Sequence, residues 1–141
     1  MKHLTLRALL LVAASSFTLP CFSDVAVIVN KAVTDSLSEA DISNIFLGKT
    51  KSLPGGAQAV PVDQTAGSAA RTTFYTKLTG KDESQLKAYW SRLIFTGKGQ
   101  PPKEVGGDAD VVGLVGGNPN MIGYVDAAAV NDSVKVVATL K

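Results

Sequence analysis

The sequence predicts an α/β fold in which short apolar strands alternate with amphipathic helices. Three observations carry that expectation. Asp24–Asn30 is a brief, strongly apolar run bounded by charge and turn formers, the pattern of a buried strand. Leu86, Tyr89, Trp90, Leu93 and Ile94 recur at 3.6-residue spacing, the pattern of a helix with one apolar stripe. Glycines and prolines then punctuate the chain between such segments, without an internal repeat or a low-complexity linker.

After the first strand, Ser36 and Ser38 offer helix caps, and Ser38 with Asp41 resembles a capping box. The helix that follows presents Ile42, Ile45 and Phe46 to a core and stops at Gly48. Lys49 to Gly56 is a surface loop, with Lys49 and Lys51 in solvent. Gln58–Asp63 is a second strand, and Pro61 within it argues for an edge or a bulge. A helix opened by Gly67 and Ser68 carries Phe74, Tyr75 and Leu78 to Gly80. A third helix spans about Ser84 to Phe95, with Ser84 as its cap, and Thr96–Pro102 is irregular. Asp108–Val115 reads as a short helix ended by Gly116-Gly117-Asn118-Pro119. Ile122–Val125 is a strand, Asp126–Val130 a helical turn or connector, and Val134–Leu140 a last strand.

The first residues have the layout of a secretory signal peptide. Lys2 and Arg7 form a positive start, an apolar run from Ala8 reaches Phe17, and Cys21-Phe22-Ser23 after Pro20 suits cleavage behind Ser23. Residues 1–23 are therefore read as the leader and 24–141 as one domain in an extracytoplasmic, periplasmic location. Cleavage removes the only cysteine, Cys21, and the only histidine, His3. It also removes two of the 14 basic residues, which leaves 12 against 12 acidic ones. A neutral chain lacks the dense basic face that a general nucleic-acid or anionic-membrane partner requires. Without thiol or imidazole it has no ready nucleophile, no base of near-neutral pKa and no His/Cys metal site, so a non-enzymatic role without cofactor is expected.

The most informative stretch is Val62-Asp-Gln-Thr-Ala-Gly-Ser-Ala-Ala-Arg71. It reads as a strand end, a small-residue turn and the first turn of a helix, where free amides, hydroxyls and an arginine converge in a way suited to an oxyanion. The candidate ligand-binding residues are Asp63, Thr65, Gly67, Ser68 and Arg71. Gly67 permits a turn through positive φ or a close ligand approach. Ser68 is either the helix cap or a ligand hydroxyl, and the two roles compete. Arg71 can reach back with a bidentate fork, while Asp63 orients that fork or accepts a proton from the anion. The bland alternative is a capped helix with a surface arginine. Thr96–Gln100 could cradle phosphate with Lys98, but it lacks nucleotide-loop spacing and reads better as a helix C-cap. Ser84–Lys87 matches Ser-x-x-Lys in isolation and reads as helix start and solvated face.

These residues carry a resemblance. Val27-Ile-Val-Asn30, Ile42-Ser-Asn-Ile-Phe-Leu-Gly-Lys49, Val62–Phe74 and Ile122-Gly-Tyr-Val125 together resemble the periplasmic phosphate ABC transporter substrate-binding proteins, in a small single-domain form. The run Leu86–Pro102 is similar to such small proteins as well. The resemblance implies a three-layer α-β-α architecture equal to a single lobe of a periplasmic binding protein-like fold. It implies phosphate or a related tetrahedral oxyanion as ligand, and an ABC transporter permease or another envelope protein as partner. Asp63, Gly67, Ser68 and Arg71 fall where the family places its second-lobe anion loop. The family's Ser-Gly-Thr run is absent, since Ala69-Ala70 follows Gly67-Ser68, and the first-lobe loop has no counterpart. One lobe cannot close over a ligand, so a homodimer or a partner would complete the cleft. The alternative implied is an interaction module that keeps the lobe without binding an anion.

Overall fold

The computed structural model describes residues 24–141; the leader expectation and its cleavage site lie outside the described residues. Five strands, Val25–Asn30 (β1), Val60–Asp63 (β2), Lys103–Glu104 (β3), Met121–Asp126 (β4) and Val134–Leu140 (β5), form one mixed sheet in the order β3-β2-β4-β1-β5. β2 runs parallel to β3 and β4, whereas β1 is antiparallel to β4 and β5. Four helices, Glu39–Phe46 (α1), Ala69–Thr79 (α2), Glu83–Phe95 (α3) and Asp108–Gly117 (α4), flank it.

Strand alternation divides the core in two. Val25, Val27 and Val29 of β1 face α1 and α2 together with Ile122 and Tyr124, while Ala26 and Ile28 face α4. Every β1 side chain from Val25 to Val29 is buried, which explains its continuous apolar run. Phe46, Phe74, Tyr75 and Tyr124 pack as one aromatic cluster, with Phe74 stacked on Tyr124 at 4.0 Å between centroids. On the opposite face α4 closes on β4 at Gly123, where a Cβ would lie 2.5 Å from Val111. The α/β, three-layer single-lobe architecture is therefore present.

Several local expectations need correction. Asp82, not Ser84, caps α3, because its carboxylate accepts from the Gln85 amide and the Gln85 side chain returns to the Asp82 amide. β3 was not visible in the irregular stretch before it, since two residues carry no periodicity. Pro61 sits inside the sheet rather than on its outer edge. It is tolerated because β3 pairs only with Val62 and Asp63, so β2 has one open side at the proline. Ile94, expected on the α3 stripe, is 53% exposed.

Candidate functional site

The carboxyl ends of β2, β3 and β4 converge with the starts of α2 and α4, the edge at which open α/β sheets commonly hold ligands. Main-chain bonds assemble this edge. Val105 donates to Asp63 O at 2.9 Å, and Thr65 donates to Gly106 O at 3.0 Å. The chain then turns through Gly67, whose φ of +91° excludes most side chains, and the Ser68 amide closes the turn on Thr65 O.

Ser68 is the N-cap of α2. Its Oγ accepts from the Arg71 amide at 3.0 Å and donates to Gln64 Oε1 at 2.9 Å. Of the two roles open to this hydroxyl, capping is the one it performs. The amides of Ala69 and Ala70, next in the helix, have no partner among the described residues, as expected for a first turn. Thr65, Ala66, Gly67 and Ala69 are exposed, so this small-residue mouth opens to solvent.

Arg71 lies beneath the mouth and is buried. Its bidentate fork goes to Glu83, with Nε and Nη2 donating to the two carboxylate oxygens at 3.0 and 2.9 Å. Nη1 donates to Gln64 O and to Glu104 Oε1, both at 2.9 Å, and lies 3.3 Å from Asp63 Oδ2. Four hydrogen bonds thus occupy most of the guanidinium's donors. Three carboxylates face one cation, and the local excess is negative. Burial disfavours charge on Arg71, but Asp63 and Glu83 outweigh it and hold its pKa above the usual value.

Asp63 is the more deeply placed partner. Its carboxylate accepts from Tyr75 OH at 2.7 Å, from Tyr124 OH and from the Gln64 amide at 2.9 Å. Burial nevertheless prevails over these bonds and over Arg71, and raises its pKa above 3.8. Burial first, then the Asp63 charge, also pushes both tyrosine hydroxyls upward, so they remain donors. Asp63 therefore lies against Arg71 as an ion-pair partner while both tyrosines donate to its carboxylate.

Gln64 is the residue that sequence reasoning missed. Only 2% exposed, it donates through Nε2 to Asp108 Oδ1 at 2.7 Å and to Tyr124 O at 2.9 Å. It thereby joins β2, the α2 cap, β4 and α4 in one network. A polar residue between Asp63 and Thr65 gave no periodic signal, and its partners lie 44 and 60 positions away. Glu83 and Glu104 lie 12 and 33 positions from Arg71, and folding alone brings them onto it.

Beside this knot runs a groove of about 410 Å³. Leu86, Trp90, Ile94, Pro101 and Pro102 supply its apolar lining, and Asp63, Glu83, Glu104, Arg71 and Lys87 its charged lining.

No protein-family model matches the chain, and no curated protein matches it. Solved structures do. A Clostridium perfringens protein solved with bound phosphate, described as a phosphate ABC transporter substrate-binding protein, superposes with a TM-score of 0.63 at 26% identity over 82% of this chain. An ABC-type phosphate transport receptor from Vibrio cholerae gives 0.63 at 18% identity, and PstS from Borrelia burgdorferi 0.59 at 13%, each over 82% of this chain. The chain spans less than half of those three proteins, namely 45%, 46% and 47%. Its fold is similar to one portion of phosphate transport receptors.

Proposed function

We propose that this protein is a non-enzymatic, extracytoplasmic binder of phosphate or a similar tetrahedral oxyanion, serving ABC-type uptake or sensing from the periplasm. The observation that carries the reading is the solvent-facing turn from Thr65 into α2, where the Ala69 and Ala70 amides that follow Gly67 have no partner among the described residues. The fold's likeness to phosphate transport receptors, one of them solved with phosphate, supports it. In this reading Thr65, Gly67 and the Ala69 and Ala70 amides touch the anion. Ser68 and Arg71 are positioning residues: the first caps α2, and the second, held by Asp63, Glu83 and Glu104, fixes the base of the turn.

Affinity is modest for two physical reasons. The mouth opens to solvent, so an anion there stays partly in water, where each contact is worth less than in a closed site. The carboxylate excess around Arg71 also opposes negative charge nearby. A second copy or a permease would complete the enclosure.

The test exploits helix geometry. Ala69 is the first helical residue, where proline is well accepted, and Ser68 at ψ 140° already has the backbone that a following proline demands. Ala69→Pro deletes one proposed donor without disturbing α2. Amide NMR titration with millimolar phosphate is expected to give saturable shifts at Gly67 and Ala70, with affinity reduced about tenfold in Ala69→Pro at unchanged helical content. Absence of any saturable shift at this mouth would transfer the reading to an envelope interaction module. The groove of apolar and acidic residues beside Arg71 is the observation that favours that second reading.

A further inference from the structure

Lys51 and Lys98 are 47 positions apart in sequence, yet they line one hollow of about 430 Å³ that shares Ile94 with the Arg71 groove. Trp90 brings their loops together. Gly48 after α1 and Gly99 after α3 both pack on it, since a Cβ on Gly48 would lie 3.3 Å from the indole and one on Gly99 4.0 Å. Tyr89 OH ties α3 to the end of α1 by donating to Leu47 O at 2.8 Å. Both loop backbones are pinned: Lys49 and Thr50 donate to Asn44 O, Ala59 donates to Lys51 O, and Lys98 donates to Leu93 O.

Lys51 and Lys98 are the only charged residues that line this hollow. Neither ammonium has a hydrogen bond or ion pair among the described residues. Compensation of helix C-terminal dipoles would be the ordinary duty of such lysines. Here three of the last four carbonyls of each helix already accept from the chain itself, Ser43 O, Asn44 O and Ile45 O in α1 and Arg92 O, Leu93 O and Ile94 O in α3. Two exposed ammoniums lining one glycine-walled hollow offer an anion two positive charges with no carboxylate in the lining to oppose it. Gln100 adds a carboxamide donor at the rim.

We propose that the Lys51–Lys98 hollow is a second anion site, separate from the Thr65–Ala70 mouth, which receives a phosphate group between the two ammoniums. Ile94 forms an apolar wall, and Phe95 beside it is 93% exposed, so a phosphate carried on an apolar body fits this surface better than a bare sugar phosphate. Such a group comes either free in solution or as the headgroup of an anionic lipid.

Amide NMR on the protein, titrated with inorganic phosphate at constant ionic strength, locates binding by residue. The expected result is saturable shifts at Lys51, Gly97 and Gly99, weakened about tenfold or more in Lys51→Gln/Lys98→Gln while Gly67 and Ala70 respond as before. Sedimentation with phosphatidylglycerol vesicles, against phosphatidylcholine vesicles, separates the sources. Retention that falls with the double substitution and with Phe95→Ser identifies a lipid headgroup; phosphate shifts without retention identify a free ligand. No response to either probe, or a response that the double substitution leaves unchanged, overturns the proposal. Because Ala69→Pro acts only on the other mouth, the two sites stand or fall separately.

Discussion

The Arg71 groove and the Lys51–Lys98 hollow share Ile94 as a lining residue and treat positive charge in opposite ways. At the knot one guanidinium is enclosed by Asp63, Glu83, Glu104 and Gln64 O, and little of it is left for a ligand. At the hollow two ammoniums stand without any carboxylate in the lining. The difference teaches that a conspicuous basic residue in a binding-loop motif can be a fastening, while undistinguished lysines in loops can be the available charges. Burial is what separates the cases. A buried cation must be paired to remain charged, whereas an exposed one keeps its water until something better arrives.

The largest effect is expected where the charges are enclosed. Arg71→Ala leaves Asp63 buried with its cation gone and Gln64 O without a donor, so denaturation should show a loss of about 3–5 kcal/mol. A loss within a few tenths would mean that the knot is dispensable and Arg71 is held for a ligand after all. This variant cannot serve as a simple binding test, because it attacks the scaffold under the mouth.

A second experiment probes the knot by pH. The Asp63 carboxyl binds its proton more tightly when folded than when unfolded, so its contribution to stability falls as pH rises from 3.8 through the raised folded value. Asp63→Asn removes that dependence. The stability of the parent protein relative to Asp63→Asn should therefore decline across that rising window in urea titrations at stepped pH. A difference that grows with pH would show instead that Arg71 and the tyrosines outweigh burial.

The smallest effect belongs to the hollow. Lys51→Gln/Lys98→Gln should alter stability by no more than about 0.5 kcal/mol, as for surface changes free of specific partners. A loss of several kcal/mol would mean that these lysines hold the two loops together and, like Arg71, act as a fastening.

Much of the fold was legible because it is written in local periodicity. The continuous apolar run of β1, the α1 cap at Ser38 with Asp41, and the stops at Gly80 and Gly97 follow from neighbouring residues. The turn at Gly67 and the cap at Ser68 were legible for the same reason. The α3 cap was misplaced by two residues because Asp82 and Ser84 are both competent caps and only the returning Gln85 side chain decides between them.

By itself, then, the sequence determined the layered α/β architecture, the small-residue loop leading into a capped helix, and the absence of histidine and cysteine beyond residue 21. Tertiary structure alone decided which charges are spent. Glu83 and Glu104 reach Arg71 from 12 and 33 positions away, Tyr124 reaches Asp63 from 61, and Trp90 gathers the loops of Lys51 and Lys98. Helices and turns arise from contacts among near neighbours. Whether a charged side chain is buried, paired or left in solvent depends on what distant segments bring beside it, and no local pattern encodes that.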